Sequence, residues 1–409
     1  MIEEKWTRRK TRILLLVLLV ILIIVGLIVY FTSYRFKLKI HGYDRFETNL
    51  ILNNTKSKDI ETILKYDYMN QLSAIIDVDT YESKNMTKYI KYYQKNKKVP
   101  VYGIVSIVNA NAEEYEYTKT LVGIVTDKEY KQKNLDKYIT YYNKYNDALP
   151  GDIVYLVNHD IDKEYTKILS DIINAKYYLL DRFNRYIEYA NKNQDLKAED
   201  IVARVNCNRD YNDYTNVMKA DSNKKELVLV NKYYKLDEYT INRNFLNFVD
   251  VDEKYSVGNS LKMEKEAYQN FIEMSDKAKQ SGLTLLINNA YVSSSSQQSS
   301  YNKAASENGE SYANSNIAKG GHSELQTGYS LTISNNSNSN FRDSNEYKWL
   351  LQHASEYGFI LRYPEGKQSL TGFDFNPSQF KYVGRKIANE IKKLDITYDE
   401  YYAYYVSEE

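Results

Sequence analysis

The chain has 409 residues, enough for two or three domains. Its 55 Lys and Arg are balanced by 54 Asp and Glu, so no nucleic-acid-type basic surface follows from the composition and no nucleic-acid partner is expected. A single cysteine, Cys207, excludes an intramolecular disulfide and leaves the redox compartment open.

Ile13 to Phe31 carries no charged residue. At ~1.5 Å per residue it reaches ~28 Å, the thickness of a bilayer core. It is longer than a signal-peptide apolar region, and no small-x-small cleavage pattern follows. The stretch is therefore read as a transmembrane helix over 13–31. Lys5, Arg8, Arg9, Lys10 and Arg12 against Glu3 and Glu4 leave residues 1–12 net +3, so this tail is expected in the cytoplasm. The expected location is the cell membrane, single-pass, with the C-terminal domains extracellular. The rest of the chain is then net −2, with no bulk attraction to anionic lipid.

Residues 32–76 read as a connector. Ser57 to Leu64 looks like a capped helix start with Glu61 near its first turn. Residues 77–222 repeat. Tyr89-Ile90-Lys91-Tyr92-Tyr93 returns as Tyr138-Ile139-Thr140-Tyr141-Tyr142 and as Tyr186-Ile187-Glu188-Tyr189-Ala190. A second marker follows each copy, Ile104 to Asn109, Ile153 to Asn158 and Ile201 to Asn206. Both markers step by 49 and then 48 residues, so the region is read as about three stacked units forming a stalk. The first marker reads as a short helix. The second fits a helical turn or a strand, since periodicity over six residues does not separate them. The tyrosines suit either a spacer core or a sugar-stacking face, and the spacer is preferred.

A terminal domain is expected over 225–397, opened by a strand at Leu227 to Lys232. Ala267, Phe271, Met274 and Ala278 step as one helix face, stopped by Gly282. Leu283 to Ile287 reads as a buried strand, and the Ser- and Asn-rich run 293–344 as mostly loop. Trp349, Leu350, Ala354 and Tyr357 form a helix ending at Gly358. Phe359 to Leu361 is a strand, and Val383, Ile387, Ile391 and Leu394 a last helix. The mixture is α+β. Residues 398–409 read as a tyrosine-rich acidic tail with no role.

Within this domain the chain reads Gly321-His322-Ser323-Glu324-Leu325-Gln326-Thr327-Gly328, then Thr332, Tyr357-Gly358-Phe359, Arg362-Tyr363-Pro364, Thr371-Gly372 and Asn376-Pro377-Ser378-Gln379. Order and spacing resemble the core of the VanY-type D-Ala-D-Ala carboxypeptidases, zinc peptidases of the bacterial cell wall. The resemblance implies a VanY-like core domain after the transmembrane helix and repeat stalk. A zinc peptidase needs three protein ligands with one position left for water, a carboxylate base and, for a terminal carboxylate, a cation. The resemblance places the ligands at Leu325, Thr332 and Gln379, the base at Asn376 and the cation at Val292. None of these side chains suits its role, so no catalytic residue, zinc or other cofactor is expected. Tyr291, Gln297, Ser323, Glu324 and Arg362 remain as candidate ligand-binding residues, with Arg362 equally suited to a structural ion pair. The implied product is a pseudoenzyme whose partner is a peptidoglycan stem peptide or a wall-associated protein. The alternatives are a residual D-Ala-D-Ala carboxypeptidase and a non-binding scaffold.

Overall fold

The computed structural model describes residues 2–237, 247–258, 260–335, 337 and 340–407. The chain forms two compact units, Met1–Thr166 and Lys167–Glu409. The first contains one long apolar helix, Ile2–Thr32, whose segment Lys10–Thr32 is long and apolar enough to cross a membrane. Short helices follow. Tyr34–Ile40 is capped by Ser33, whose hydroxyl accepts from Phe36 N. Arg45–Asn54 is closed by a capping box between Asp44 and Glu47. The helix read at Ser57 does begin there. Its first turn is held by Asp59, which accepts from Lys56 N, rather than by Glu61.

The two recurring markers are helices in every copy: Met86–Lys95 with Val101–Asn109, Leu135–Lys144 with Pro150–Asn158, and Phe183–Lys192 with Ala198–Asn206. The ambiguous second marker is thus helical. One set of bonds explains why these residues recur. The hydroxyls of Tyr89, Tyr138 and Tyr186 donate to the side chains of Asn109, Asn158 and Asn206. Each Asn donates in turn to the carbonyl 29 residues earlier, that of Thr80, Glu129 or Tyr177, at 2.7–2.8 Å. After each second helix Asn111, Asp160 and Asn208 take positive φ, the left-handed stop that short polar side chains tolerate. The third pair belongs to the second unit.

In the second unit the strands are β1 (Met218–Lys219), β2 (Tyr234–Lys235), β3 (Phe248–Asp250), β4 (Lys262–Glu264), β5 (Leu286–Asn289), β6 (Ser330–Ser334), β7 (Phe359–Tyr363) and β8 (Asn376–Tyr382). The main sheet has the order β5-β6-β8-β7, all pairs antiparallel. Helix Lys265–Gln280 lays Ala267, Phe271, Met274 and Ala278 onto one face, against Leu331, Ile333, Phe359 and Phe380. Gly282, at φ +75°, turns the chain off that helix. The helices expected around Trp349 and Ile387 are Asn345–His353 and Arg385–Leu394. The domain is α+β, as expected.

Three expectations fail. Leu227 to Lys232 is not a strand. Its carbonyls go to side chains instead: Lys381 Nζ donates to Val228 O, Tyr398 OH to Leu227 O, and His322 Nδ1 lies 2.8 Å from Asn231 O. The run 293–344 contains helices Ser294–Asn308 and Glu310–Asn316 and strand β6. The closing segment is no loose tail. Thr397 and Glu400 cap helix Tyr398–Tyr401, and Tyr398 and Asp399 are buried in the domain.

Candidate functional site

The register of the main sheet sets Thr332 of β6 directly opposite Gln379 of β8, and Asn289 of β5 opposite Thr332. Directly opposed residues in antiparallel strands project from the same face. Thr332 and Gln379 therefore share a face, and the register shift between Ile287 and Asn289 sets Asn289 opposite Thr332, so neutral polar residues align across three strands. Alternation separates the faces. Leu331, Ile333 and Phe380 enter the apolar core, while Ser330, Thr332, Gln379 and Lys381 line the other side.

The turn Glu324–Thr327 leads into β6 and carries Leu325, which is 8% exposed. Gly328 closes the turn at φ +76°, with Phe248 so near that a Cβ would lie 2.2 Å from its ring. The turn is fastened to the polar face by ion pairs. Glu324 Oε2 receives Lys381 Nζ at 2.7 Å, and Glu324 Oε1 receives Arg362 Nε at 3.0 Å. Arg362 also grips Asp399, at 2.6 Å from Nη1 and 3.3 Å from Nη2, and Asn231 donates to the same carboxylate at 2.8 Å. All four charged side chains are at most 1% exposed. Burial alone would depress the Arg362 guanidinium. Asp399 and Glu324 outweigh it and hold the group well above its ordinary range. Burial pushes the Lys381 ammonium below its ordinary range, with Glu324 opposing. Two cations and two anions cancel, which lets so many charges stay buried.

These contacts correct part of the sequence reading. Arg362, a candidate ligand contact, is fully buried and spent on Glu324 and Asp399. Glu324 is equally consumed. Ser323 caps the turn, its hydroxyl accepting from Leu325 N. Gln297 is buried and donates to Ala318 O at 2.8 Å. Tyr291 is half-buried with its ring packed 4.7 Å from that of Phe248, and Val292 beside it is half-buried. Asn376, half-buried, accepts from Ser378 N at 3.0 Å and sits opposite Tyr363. Of the histidines near the motif, His322 is buried with Nδ1 2.8 Å from Asn231 O, and burial lowers its pKa. His353 faces Glu356.

The residues that sequence reasoning missed are Lys381, Asp399 and Asn231. A readable signal existed for one of them, since Thr397 and Glu400 form a capping box around Asp399.

The donor chemistry does not fit a catalytic zinc. Leu325 offers hydrocarbon, while Thr332 and Gln379 offer only neutral, weakly donating oxygen. Among the described residues no three His, Cys, Asp or Glu gather to hold a metal. Polar capacity nevertheless remains at this corner. The buried Gln326 Nε2, Ser330 Oγ and Thr332 Oγ1 have no hydrogen-bond partner among the described residues, where most such atoms are paired.

Known proteins match this region. Residues 260–385 match the VanY family model, described as D-alanyl-D-alanine carboxypeptidase. YodJ of Bacillus subtilis (strain 168), a protein whose name calls it a carboxypeptidase, is 34% identical over 184 residues, 43% of this chain and 66% of its own length. A D-alanyl-D-alanine carboxypeptidase of Enterococcus faecium is 31% identical over 183 residues, 44% of this chain and 57% of its own. The chain thus spans just under two thirds of the first relative and less of the second. A solved structure of the LdcB LD-carboxypeptidase is 31% identical, covers 46% of this chain and 91% of that one, and superposes with a TM-score of 0.43. Residues 260–385 of this chain are thus a domain of the VanY D-alanyl-D-alanine carboxypeptidase type.

Proposed function

We propose that this protein is a membrane-anchored, catalytically inactive VanY homologue that binds cell-wall peptide or a wall-associated partner without cleaving it. The relatives named as D-alanyl-D-alanine carboxypeptidases supply the ligand class. The supporting observation is the row Asn289, Thr332 and Gln379 beside the Leu325 turn. The frame is kept by Gly328 and the buried Arg362–Glu324–Lys381 pairs, while its reactive positions hold Leu, Thr, Gln and Asn. On this reading Leu325, Thr332 and Gln379 replace the metal ligands, Asn376 the base and Val292 the cation. The unpartnered Gln326, Ser330 and Thr332 atoms are its remaining hydrogen-bonding capacity.

The apolar helix anchors the chain, residues 1–12 stay in the cytoplasm, and the helical units act as a stalk that holds the domain in the wall. Calorimetric titration of the full chain with muropeptides tests this. Binding of stem peptide without release of D-alanine is expected. No binding to any wall fragment would leave the scaffold reading, which the internal use of Gln297, Ser323, Glu324 and Arg362 favours.

A further inference from the structure

We propose a lipid-phosphate site where the apolar helix of the first unit meets the short helices that follow it, with an anionic phospholipid headgroup as its ligand. The proposal rests on reading Lys10–Thr32 as a membrane helix. A cavity of about 300 Å³ is lined by Tyr30, Arg35, Phe36, Lys39, Tyr43, Asp44, Arg45 and Thr48. Tyr30 belongs to the last turns of the apolar helix, so the cavity opens at the depth of the headgroups on that side.

Its charge is one-sided. Arg35, Lys39 and Arg45 contribute three cations, and none of them makes an ion pair among the described residues. Arg35 donates only to the neutral side chain of Asn49, at 2.8 Å. The one acid, Asp44, accepts from Glu47 N at 2.8 Å to cap the next helix and leaves the lining with two positive charges in excess. Three cations around one opening suit a phosphate diester, with guanidinium groups able to chelate two of its oxygens.

The surroundings are those of a membrane surface. Tyr30, Phe31 and Phe36 pack as an aromatic cluster with ring centroids 4.5–5.6 Å apart. Ile40 and Phe46 expose 70% and 72% of their surface beside the cations. Apolar side chains interleaved with Arg and Lys are what an interfacial segment presents to headgroups and upper acyl chains. The body of the chain has no net attraction to anionic lipid, so this cluster is a local feature. It also sets Arg35, Lys37, Lys39 and Arg45 against the five cations of the opposite flank. A bound phosphate would offset that opposition to the positive-inside bias.

The test uses the full chain in phosphatidylcholine vesicles containing phosphatidylglycerol. Flotation reads anchoring. Native mass spectrometry of the gently extracted protein reads which lipid stays bound. Retention of phosphatidylglycerol over phosphatidylcholine is expected to fall on the order of fivefold for each cation removed. The variant is Arg35→Gln with Lys39→Gln and Arg45→Gln. The control is Lys58→Gln with Lys97→Gln and Lys98→Gln, exposed cations away from the cavity, which should leave the preference intact. An unchanged preference in the first variant overturns the site. A chain that floats with no lipid preference overturns the site alone. A chain that does not float overturns the membrane reading beneath it.

Discussion

Replacing Asp399 by Ala removes the carboxylate that holds Arg362 and receives Asn231. The group is 1% exposed, and its loss leaves Arg362 and Lys381 facing Glu324 alone, one uncompensated positive charge in the domain interior. Breaking a buried pair by removing one partner costs about 3–5 kcal/mol. For a unit of this size that is a fall in melting temperature of about 6–20 °C. Trp349 lies in this unit and Trp6 in the N-terminal tail, so a Trp6→Phe background lets Trp349 fluorescence report the domain. The deficit should narrow as pH rises. Lys381 is already pushed below its ordinary range by burial, and losing Asp399 pushes it further. Between that lowered folded value and the unfolded one, the unfolded chain binds more protons, so stability increases with pH. An unfolding free energy unchanged within about 0.5 kcal/mol, a typical surface effect, would show that Asp399 does not hold the domain together and return the closing segment to a dispensable tail.

Other consequences are direct. Asn158→Ala should destabilise the first unit by about 1–3 kcal/mol, because the Tyr138 hydroxyl and the Glu129 carbonyl lose their shared partner. Amide exchange around Glu129 to Lys144 reads this. Gly328→Ala should be markedly worse than Gly366→Ala. Both glycines have φ +76°, but a Cβ at 328 strikes Phe248 while one at 366 meets open space. The second should cost only the left-handed penalty of about 1–2 kcal/mol, and thermal melts compare them. Asp213 is opposed by burial but held below its ordinary range by Lys232 and Arg209. Its stabilisation is present above the unfolded carboxylate value and is lost as pH falls through the lower folded one. Asp213→Asn should therefore weaken the domain at neutral pH and converge with the parent chain in acid. Denaturant titrations at both pH values check it.

Local periodicity made much of the fold readable. Ala267, Phe271, Met274 and Ala278 declare a helix face because they are all buried on the same sheet. The paired Tyr and Asn markers were visible at a fixed spacing, and in each copy the Tyr hydroxyl bonds the Asn side chain. Helix Ser294–Asn308 stayed hidden because only Gln297 and Tyr301 are buried along it, which leaves almost no apolar stripe. Leu227 to Lys232 looked like a strand because it is largely apolar, yet its carbonyls are met by side chains of Lys381, Tyr398 and His322, residues far along the chain. The same separation hid the fate of Arg362, whose partners lie 38 residues before it and 37 after. The motif spacing located the candidate site. Which of its polar residues are consumed internally depends on these distant contacts.

The proposed function has the VanY frame retained without its metal chemistry. Zinc content of the purified full chain, measured with D-alanine release from a pentapeptide stem, tests it most directly. The triple variant Leu325→His, Thr332→Asp and Gln379→His is the comparison. No stoichiometric zinc and no release are expected for the native chain, and about one zinc per chain for the variant, whose three donors restore a tetrahedral set with one open position. One equivalent of zinc on the native chain, together with D-alanine release, would contradict it.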